Sequence, residues 1–219
     1  EGQWLGFEPP NIGKRSTIGG AIASGWSGPR RPFYGAARDF VLGVGLVTGE
    51  GKYLEFGGQV MKNVAGFDVS RLVVGAMGTL GVIADVSLKV LPAPEVEETR
   101  VFEMDRLDAH GKMIEWSGRS LPISGLAFSA GRLYVRLSGT ELGVAAARIV
   151  LGGEADQGTF WERLRNLDLF QHADRLWRVS VPATSPSLLQ TCDVIDWGGS
   201  QRWCVDPASD PREGLTTGH

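Results

Sequence analysis

The stretch KNVAGFDVSRLVVGAMGTLGVI, at residues 62–83, carries the main fold information in this chain of 219 residues. It holds four glycines, two apolar runs, and neither a histidine nor a cysteine. The pattern predicts a short helix with Asp68 as its N-cap and Gly75 at its end. A half-buried strand then follows from Val82 to Val90. With so few reactive side chains, the segment is expected to act through its backbone.

The sequence before this stretch indicates short strands joined by glycine turns. DFVLGVGLVTG (39–49) and GEGKYLEFGG (49–58) predict two strands that form a hairpin. Eighteen of the 31 glycines occur by position 92, and LPAPE (91–95) follows as a linker that is extended by its prolines. We therefore expect one domain at 1–95, a second at 96–205 and a mobile tail at 206–219, which has no apolar pattern.

The second part of the chain alternates between strand and helix patterns. TRVFEM and PISGLAFSAGRLYVRLSG predict strands, the latter a pair around Ala130 and Gly131. RLDAHGKMIEWSG, TELGVAAARIVLGG and QGTFWERLRNL predict helices, the second of them capped by Thr140. RLWRVSVPA, DVIDWG and QRWCV predict further short strands. This order indicates an α+β fold with a small antiparallel sheet and helices on one face.

Composition excludes several classes of function. The net charge of −3 gives no electrostatic basis for binding nucleic acid or an anionic membrane. No apolar run approaches the ~20 residues that span a bilayer. Cys192 and Cys204 are expected to be free thiols in a reducing cytosol. The three histidines, His110, His172 and His219, fit no catalytic or metal-binding pattern, so we assign neither a catalytic residue nor a metal ligand.

TIGGAIASGWSG (17–28) is expected to be a glycine-rich loop, and it is the segment most suited to a ligand. Its glycines would let backbone N–H groups approach a pyrophosphate or a flat ring system. The alternative is a set of tight turns in a compact sheet, which glycine spacing alone favours. The sequence lacks both the GxGxxG fingerprint after a strand and the GxxxxGK[ST] loop, so the Rossmann and P-loop interpretations are poor.

SGPRRPFYG (27–35) places Arg30 and Arg31 between two prolines. The arginines could clamp a carboxylate or phosphate, or dock a partner. The alternative, which we favour, is a solvated loop with ordinary surface charge.

Several motifs in order carry a family resemblance. FEPP, TIGGAIASGWSGPRRPFYGAARDFVLG, VMKNVAGFDVSRLVVGAMGTLGVI and LKVLPAP together resemble the FAD-binding E subunits of bacterial glycolate oxidase (glycolate dehydrogenase), and LWRVSVPA and IDWGGSQRW extend the resemblance to about residue 205. Those subunits belong to the flavoproteins with a vanillyl-alcohol-oxidase (PCMH) type of FAD domain. The resemblance implies the second half of such a domain, followed by a smaller α+β cap domain with an antiparallel sheet.

The resemblance also implies where FAD would be contacted. The segment matching 17–28 would line the flavin and pyrophosphate, and the one matching 78–82 would meet the cofactor at its adenine end. The expected contact residues are Pro10, Thr17, Gly19, Gly20, Ser24, Gly25, Gly28, Gly35, Gly78, Gly81 and Val82. Gly66, Phe67 and Asp68 would support the strand. Lys62 and Asn63 would contact partner or cofactor, or be solvated. Family members begin with a first FAD subdomain that this chain lacks, so FAD is expected in the complete subunit and not in this fragment.

The implied function is a subunit of an FAD-dependent oxidoreductase complex that oxidises glycolate to glyoxylate. Its partners would be a histidine-bearing flavin subunit and an iron–sulfur subunit, which pass electrons towards membrane quinone. The implied location is cytoplasmic, with the complex at the inner face of the membrane. Two alternatives stay open: a non-catalytic assembly module with a vestigial flavin fold, and an independent FAD-dependent 2-hydroxy-acid dehydrogenase.

Overall fold

The structure is a computed structural model that describes residues 2–58 and 67–214. The chain divides into two compact units. The first comprises Glu1–Ala93 with Leu164–Leu167, and the second comprises Pro94–Arg163 and Asp168–His219. Each unit contains its own antiparallel sheet.

The first unit is built on a three-stranded antiparallel sheet with the order β3-β2-β4. A two-stranded sheet pairs β1 with β5. The strands are β1 (Gln3–Trp4), β2 (Val41–Val47), β3 (Tyr53–Gly57), β4 (Val82–Leu88) and β5 (Leu91–Pro92). The helices are α1 (Ile18–Ser24), α2 (Arg31–Tyr34), α3 (Ala37–Phe40) and α4 (Val69–Leu72), and a 3-10 turn spans Ile12–Lys14.

The core of the first unit lies where β2 meets α1, α3 and the residues after α4. Phe7, Ile22, Phe40, Val44 and Val73 are all buried in this cluster. The strand β2 is almost entirely buried, because both of its edges are paired. The predicted hairpin of β2 and β3 and the predicted strand β4 are therefore confirmed.

The second unit contains a seven-stranded antiparallel sheet with the order β10-β12-β11-β7-β8-β6-β9. Its strands are β6 (Val96–Glu103), β7 (Ile123–Ser129), β8 (Arg132–Gly139), β9 (Glu154–Asp156), β10 (Leu176–Ser180), β11 (Val194–Asp196) and β12 (Gln201–Val205). Its helices are α5 (Arg106–Ser117), α6 (Glu141–Leu151) and the part of α7 (Phe160–Arg165) before Leu164, and 3-10 turns span Asp168–Phe170, Trp197–Gly199 and Pro211–Gly214. The predicted α+β class is confirmed.

Helices cover both faces of this sheet, so the expectation of helices on one face is wrong. Trp116 of α5 contacts the ring of Phe102, which is paired in register with Leu133. Phe160 of α7 stacks on Tyr134, with ring centroids 3.7 Å apart. Neighbouring residues of a strand point to opposite faces, so Leu133 and Tyr134 mark the two sides. The reason lies in β8, where large side chains occupy both faces.

The segment from residue 206 onward contacts the second unit at its first residues. The Asp206 carboxylate accepts a hydrogen bond from the Arg175 backbone N–H at 2.6 Å, and Pro211 is buried. The first residues of the segment that was expected to be mobile therefore contact the rest of the second unit. Residues 215–219 lie outside the part of the chain that the structure describes.

Candidate functional site

The segment expected to be a glycine-rich loop at 17–28 contains helix α1. Thr17 starts the helix: its hydroxyl oxygen accepts from the Gly20 N–H at 3.0 Å, and its carbonyl accepts from the Ala21 N–H at 3.0 Å. Glycine in a helix costs about 1 kcal/mol relative to alanine. The capping by Thr17 and the burial of Ala21 and Ile22 offset that cost. The loop prediction is therefore wrong for this segment.

The end of α1 is joined to the turn that precedes β4. The Gly75 N–H donates to the Ile22 carbonyl at 3.1 Å, and the Met77 N–H donates to the Ala23 carbonyl at 2.8 Å. The Ile22 carbonyl also accepts from the Gly25 N–H at the helix end, whereas the Ala23 carbonyl is one that a helix end leaves without an intrahelical partner. The two bonds from Gly75 and Met77 bring the segments 17–28 and 75–82 side by side, although some fifty residues separate them in the sequence.

Two of the expected contact residues, one in each of these segments, leave bare backbone. A Cβ added at Gly19 or at Gly78 would meet no heavy atom within 4 Å. A Cβ added at Gly20 would meet only the Thr17 hydroxyl oxygen, at 3.2 Å. Glycine at position 19 is therefore not required by internal packing, a Cβ at position 20 would press on the capping hydroxyl, and Gly78 needs glycine only for its φ of +75°. The surface is open to a ligand that approaches the main chain closely.

Exposed apolar side chains are close in sequence to these glycines. Ile18 is 43% exposed, Met77 71%, Leu80 48% and Val82 68%. Apolar side chains and accessible peptide groups are both used to bind small molecules. These residues fit an extended cofactor that has polar phosphates and an apolar ring system.

Other expected contact residues have clear internal roles. A Cβ at Gly28 would lie 2.5 Å from the Glu8 carbonyl oxygen, and one at Gly81 would lie 2.7 Å from the Val47 carbonyl oxygen. Gly25 and Gly35 adopt φ of +66° and +106°, which disfavour any side chain. The Ser24 hydroxyl donates to the Ala21 carbonyl at 3.2 Å, and Pro10 is buried. Packing and backbone conformation explain these residues without a ligand.

Arg30 is a buried structural residue, which corrects the favoured interpretation of a solvated loop. Its side chain is 5% exposed and its Nε lies 3.6 Å from a carboxylate oxygen of Glu8. The guanidinium also lies over the Trp4 ring, 4.3 Å from the centroid. Arg31, in contrast, is exposed. A pair of surface arginines for docking is therefore not present, because Arg30 is inside the first unit.

The helix expected after residue 68 is present, but it ends at Leu72 and not at Gly75. The Asp68 carboxylate accepts from the Arg71 N–H at 3.1 Å and caps α4. Phe67 is 96% exposed, so its side chain does not support the following strand through packing. Lys62, Asn63 and Gly66 lie outside the described residues.

His110 has a structural environment. Its Nε2 lies 2.6 Å from the Ala183 carbonyl oxygen, which fits an N–H donor, and the ring is buried. Burial lowers the pKa of His110 despite that hydrogen bond, and the nearby Arg202 guanidinium lowers it further. His172 is exposed, and His219 lies outside the described residues.

Cys192 and Cys204 are buried free thiols, as expected. Burial raises the pKa of both, that of Cys204 to about 11, so neither has the character of a nucleophile. Within residues 2–58 and 67–214, no three His, Cys, Asp or Glu side chains are grouped so that they could hold a metal ion.

Sequence reasoning missed the residues that connect the site. Gly75 was expected only as a helix end, yet it lies against Gly25: a Cβ on Gly25 would be 3.1 Å from the Gly75 Cα. The exposed apolar group of Ile18, Met77 and Leu80 was also missed. The signal that could have identified it is apolar residues adjacent to glycine in both segments.

Comparison with known proteins shows what this chain resembles. A family model described as an FAD binding domain matches residues 1–57. Glycolate oxidase subunit GlcE of Escherichia coli is 48% identical over 212 residues, which is 95% of this chain and 61% of that protein. Glycolate oxidase subunit GlcD of Bacillus subtilis is 37% identical over 52% of this chain and 24% of its own length. The chain thus spans less than two thirds of the length of these relatives.

The fold comparison gives a consistent result. The structure of an alkyldihydroxyacetonephosphate synthase matches with a TM-score of 0.60 and 19% identity, over 83% of this chain and 45% of that one. None of the described helices is both long enough and apolar enough to cross a membrane. The GlcE match and the family-model match lead to the same conclusion. The chain belongs to the family of FAD-binding flavoproteins that includes the E subunit of glycolate oxidase.

Proposed function

We propose that the complete protein is the FAD-binding subunit of a glycolate oxidase complex, which oxidises glycolate to glyoxylate. The observation that carries the proposal is the junction of α1 with the 75–81 turn. In the two segments that meet there, Gly19 and Gly78 present bare backbone, and apolar side chains close to them in sequence are exposed. The high identity to GlcE over nearly the whole chain supports the choice of glycolate as the substrate.

FAD would supply the redox chemistry by accepting a hydride from the 2-hydroxy acid. The part of this chain at Thr17–Gly20 and Gly78 would bind and orient the cofactor through the main chain. His110 is buried against Ala183 and both thiols are buried, so these three side chains are not accessible to a substrate. We propose that a histidine-bearing flavin subunit supplies the proton acceptor, and that an iron–sulfur subunit carries the electrons onward.

No described residue covers this site, so stable retention of FAD should need the remainder of the subunit. Small-molecule sites usually bury about 70–90% of their ligand. The exposed Met77, Leu80 and Val82 indicate a surface that a second element would have to cover. We therefore expect this 219-residue chain alone to purify without stoichiometric FAD, and the complete subunit to carry it.

The test compares two glycine substitutions in the complete subunit. Gly19→Leu adds a side chain where the added Cβ has open space, so the fold should tolerate it while the cofactor loses its close approach. Gly111→Leu is the matched control: Gly111 lies in α5 and also has no heavy atom within 4 Å of an added Cβ. We expect flavin affinity to fall about tenfold or more for Gly19→Leu, which corresponds to about 1.4 kcal/mol, and to be unchanged for Gly111→Leu.

Flavin content is measured by visible absorption, and folding by circular dichroism and thermal unfolding. A folded Gly19→Leu subunit with its full complement of FAD would contradict the assignment of this surface to the cofactor. Flavin in the parent subunit with no glycolate turnover in the reconstituted complex would contradict the substrate assignment alone.

A further inference from the structure

Helix α6 has an apolar outer face that no described residue covers. It begins after the cap Thr140 and ends before Gly152. Its inner side is buried within the unit, since Val144 and Ala147 are each only 2% exposed. On the outside, Leu142 is 85% exposed, Ile149 82% and Val150 61%. A helix that is apolar on both faces normally has a partner on both.

Leu142, Ala145, Ala146 and Ile149 form a continuous apolar strip along the outside of the helix, which is called the seam below. Successive residues are about 100° apart around an α-helix of 3.6 residues per turn. Leu142 and Ile149 therefore lie almost in line, with Ala145 and Ala146 between them. Two large residues at the ends and two small ones at the centre make a surface that another helix can approach closely at its middle.

The positions of the two charged residues of α6 indicate which partner could cover the seam. Glu141 and Arg148 are seven residues apart, so they lie on the same flank of the seam at opposite ends, and they have opposite charge. Arg148 is held in place by Glu98, with its Nη1 3.5 Å from the carboxylate, and half of its side chain is exposed.

We propose that α6 pairs with α6 of a second copy of this chain, antiparallel and about a two-fold axis near Ala145 and Ala146. In an antiparallel pair, the same flank of each helix meets across the interface. Leu142 of one copy would then contact Ile149 of the other, and Glu141 of each copy would lie beside Arg148 of the other. A parallel pair would instead place like residues level with each other and align the helix dipoles unfavourably.

The size of the seam sets the expected strength. Stable interfaces bury about 800 Å² on each partner, and a single three-turn helix offers roughly half of that area. The association should therefore be weak and concentration-dependent. The inference concerns the second unit alone and does not rest on the proposed function.

The test uses charge reversal in the 219-residue chain. Glu141→Arg places two arginines on the flank, and Arg148→Glu places two glutamates there. We expect each variant alone to associate at least tenfold more weakly than the parent chain, as measured by sedimentation velocity. An equimolar mixture of the two variants should restore association, because both charge pairs across the interface are then opposite again.

A second pair of variants tests the apolar seam. Leu142→Glu should remove self-association, whereas Leu107→Glu should not; Leu107 is 59% exposed on α5 in the same unit. Circular dichroism confirms that each variant is folded. A parent chain that stays monomeric at all concentrations would overturn the proposal, as would a mixture of the two charge variants that associates no better than either one. In both cases the seam would bind a partner other than a second copy of this chain.

Discussion

Gly25 and Gly75 meet at the junction between α1 and the turn before β4, so closely that a Cβ on Gly25 would lie 3.1 Å from the Gly75 Cα and 3.2 Å from its nitrogen. Gly25 also adopts φ of +66°, the left-handed conformation that ends the helix. One glycine therefore meets two separate requirements. Through it, the two segments proposed to hold FAD are kept in one arrangement.

Gly25→Ala should destabilise the first unit. Alanine in the left-handed region costs about 1–2 kcal/mol, and the contact with the Gly75 backbone adds to this because backbone atoms cannot move aside easily. We expect a lower midpoint in urea unfolding of this chain. Gly19→Ala is the matched control, since it lies in the same helix with open space around an added Cβ. It should be neutral or stabilising by up to about 1 kcal/mol. Equal midpoints for Gly25→Ala and the parent chain would contradict the close packing of the junction.

Local patterns in the sequence were sufficient for most elements but not for α1. The strands β2 to β4 and helices α4 to α6 follow from alternation, caps and glycine stops, which act over a few residues. Helix α1 contains adjacent glycines, which argue against a helix when taken alone. Its stability comes from Ile22 in the core and from N–H donors of Gly75 and Met77, which are distant in sequence. Such tertiary contacts have no local signature.

The arginine pair shows the same limit for the site. Arg30 and Arg31 are adjacent and flanked by prolines, so no sequence rule separates them. The structure places Arg30 against Glu8 and Trp4 and leaves Arg31 exposed. The partner carboxylate lies 22 residues earlier in the chain, and only the folded first unit brings it near. The composition and motifs could thus indicate the cofactor, but not which charged residue is part of the scaffold.

Arg30→Ala should destabilise the first unit strongly. Removing one member of a buried ion pair typically costs about 3–5 kcal/mol, because the remaining charge is left in a poorly solvated place. Glu8 is 10% exposed and would be that charge. Arg38→Ala provides a control at an exposed arginine of the same unit, where a change within about 0.5 kcal/mol is expected. Urea unfolding of both variants measures the difference. If Arg30→Ala were as stable as Arg38→Ala, the pair would contribute no more than a surface residue.

The His110 environment leads to a prediction about acid stability. Burial lowers the pKa of His110 below its ordinary value of 6.5, so the unfolded chain takes up a proton at a higher pH than the folded chain does. The folded state is therefore favoured fully above pH 6.5, and this contribution is lost as the pH falls from 6.5 through the lower folded-state pKa. His110→Gln removes the titrating group, while its amide can still donate to the Ala183 carbonyl.

We expect the free energy of unfolding to fall less steeply between pH 7.5 and about 5 in His110→Gln than in the parent chain. Urea unfolding at several pH values within this range gives the slope. His172→Gln is the matched control, because His172 is exposed, and it should keep the acid-dependent loss of the parent chain. The same steep slope in His110→Gln and in the parent would show that the proton is taken up elsewhere. A slope that flattens only in His172→Gln would assign it to the exposed histidine instead.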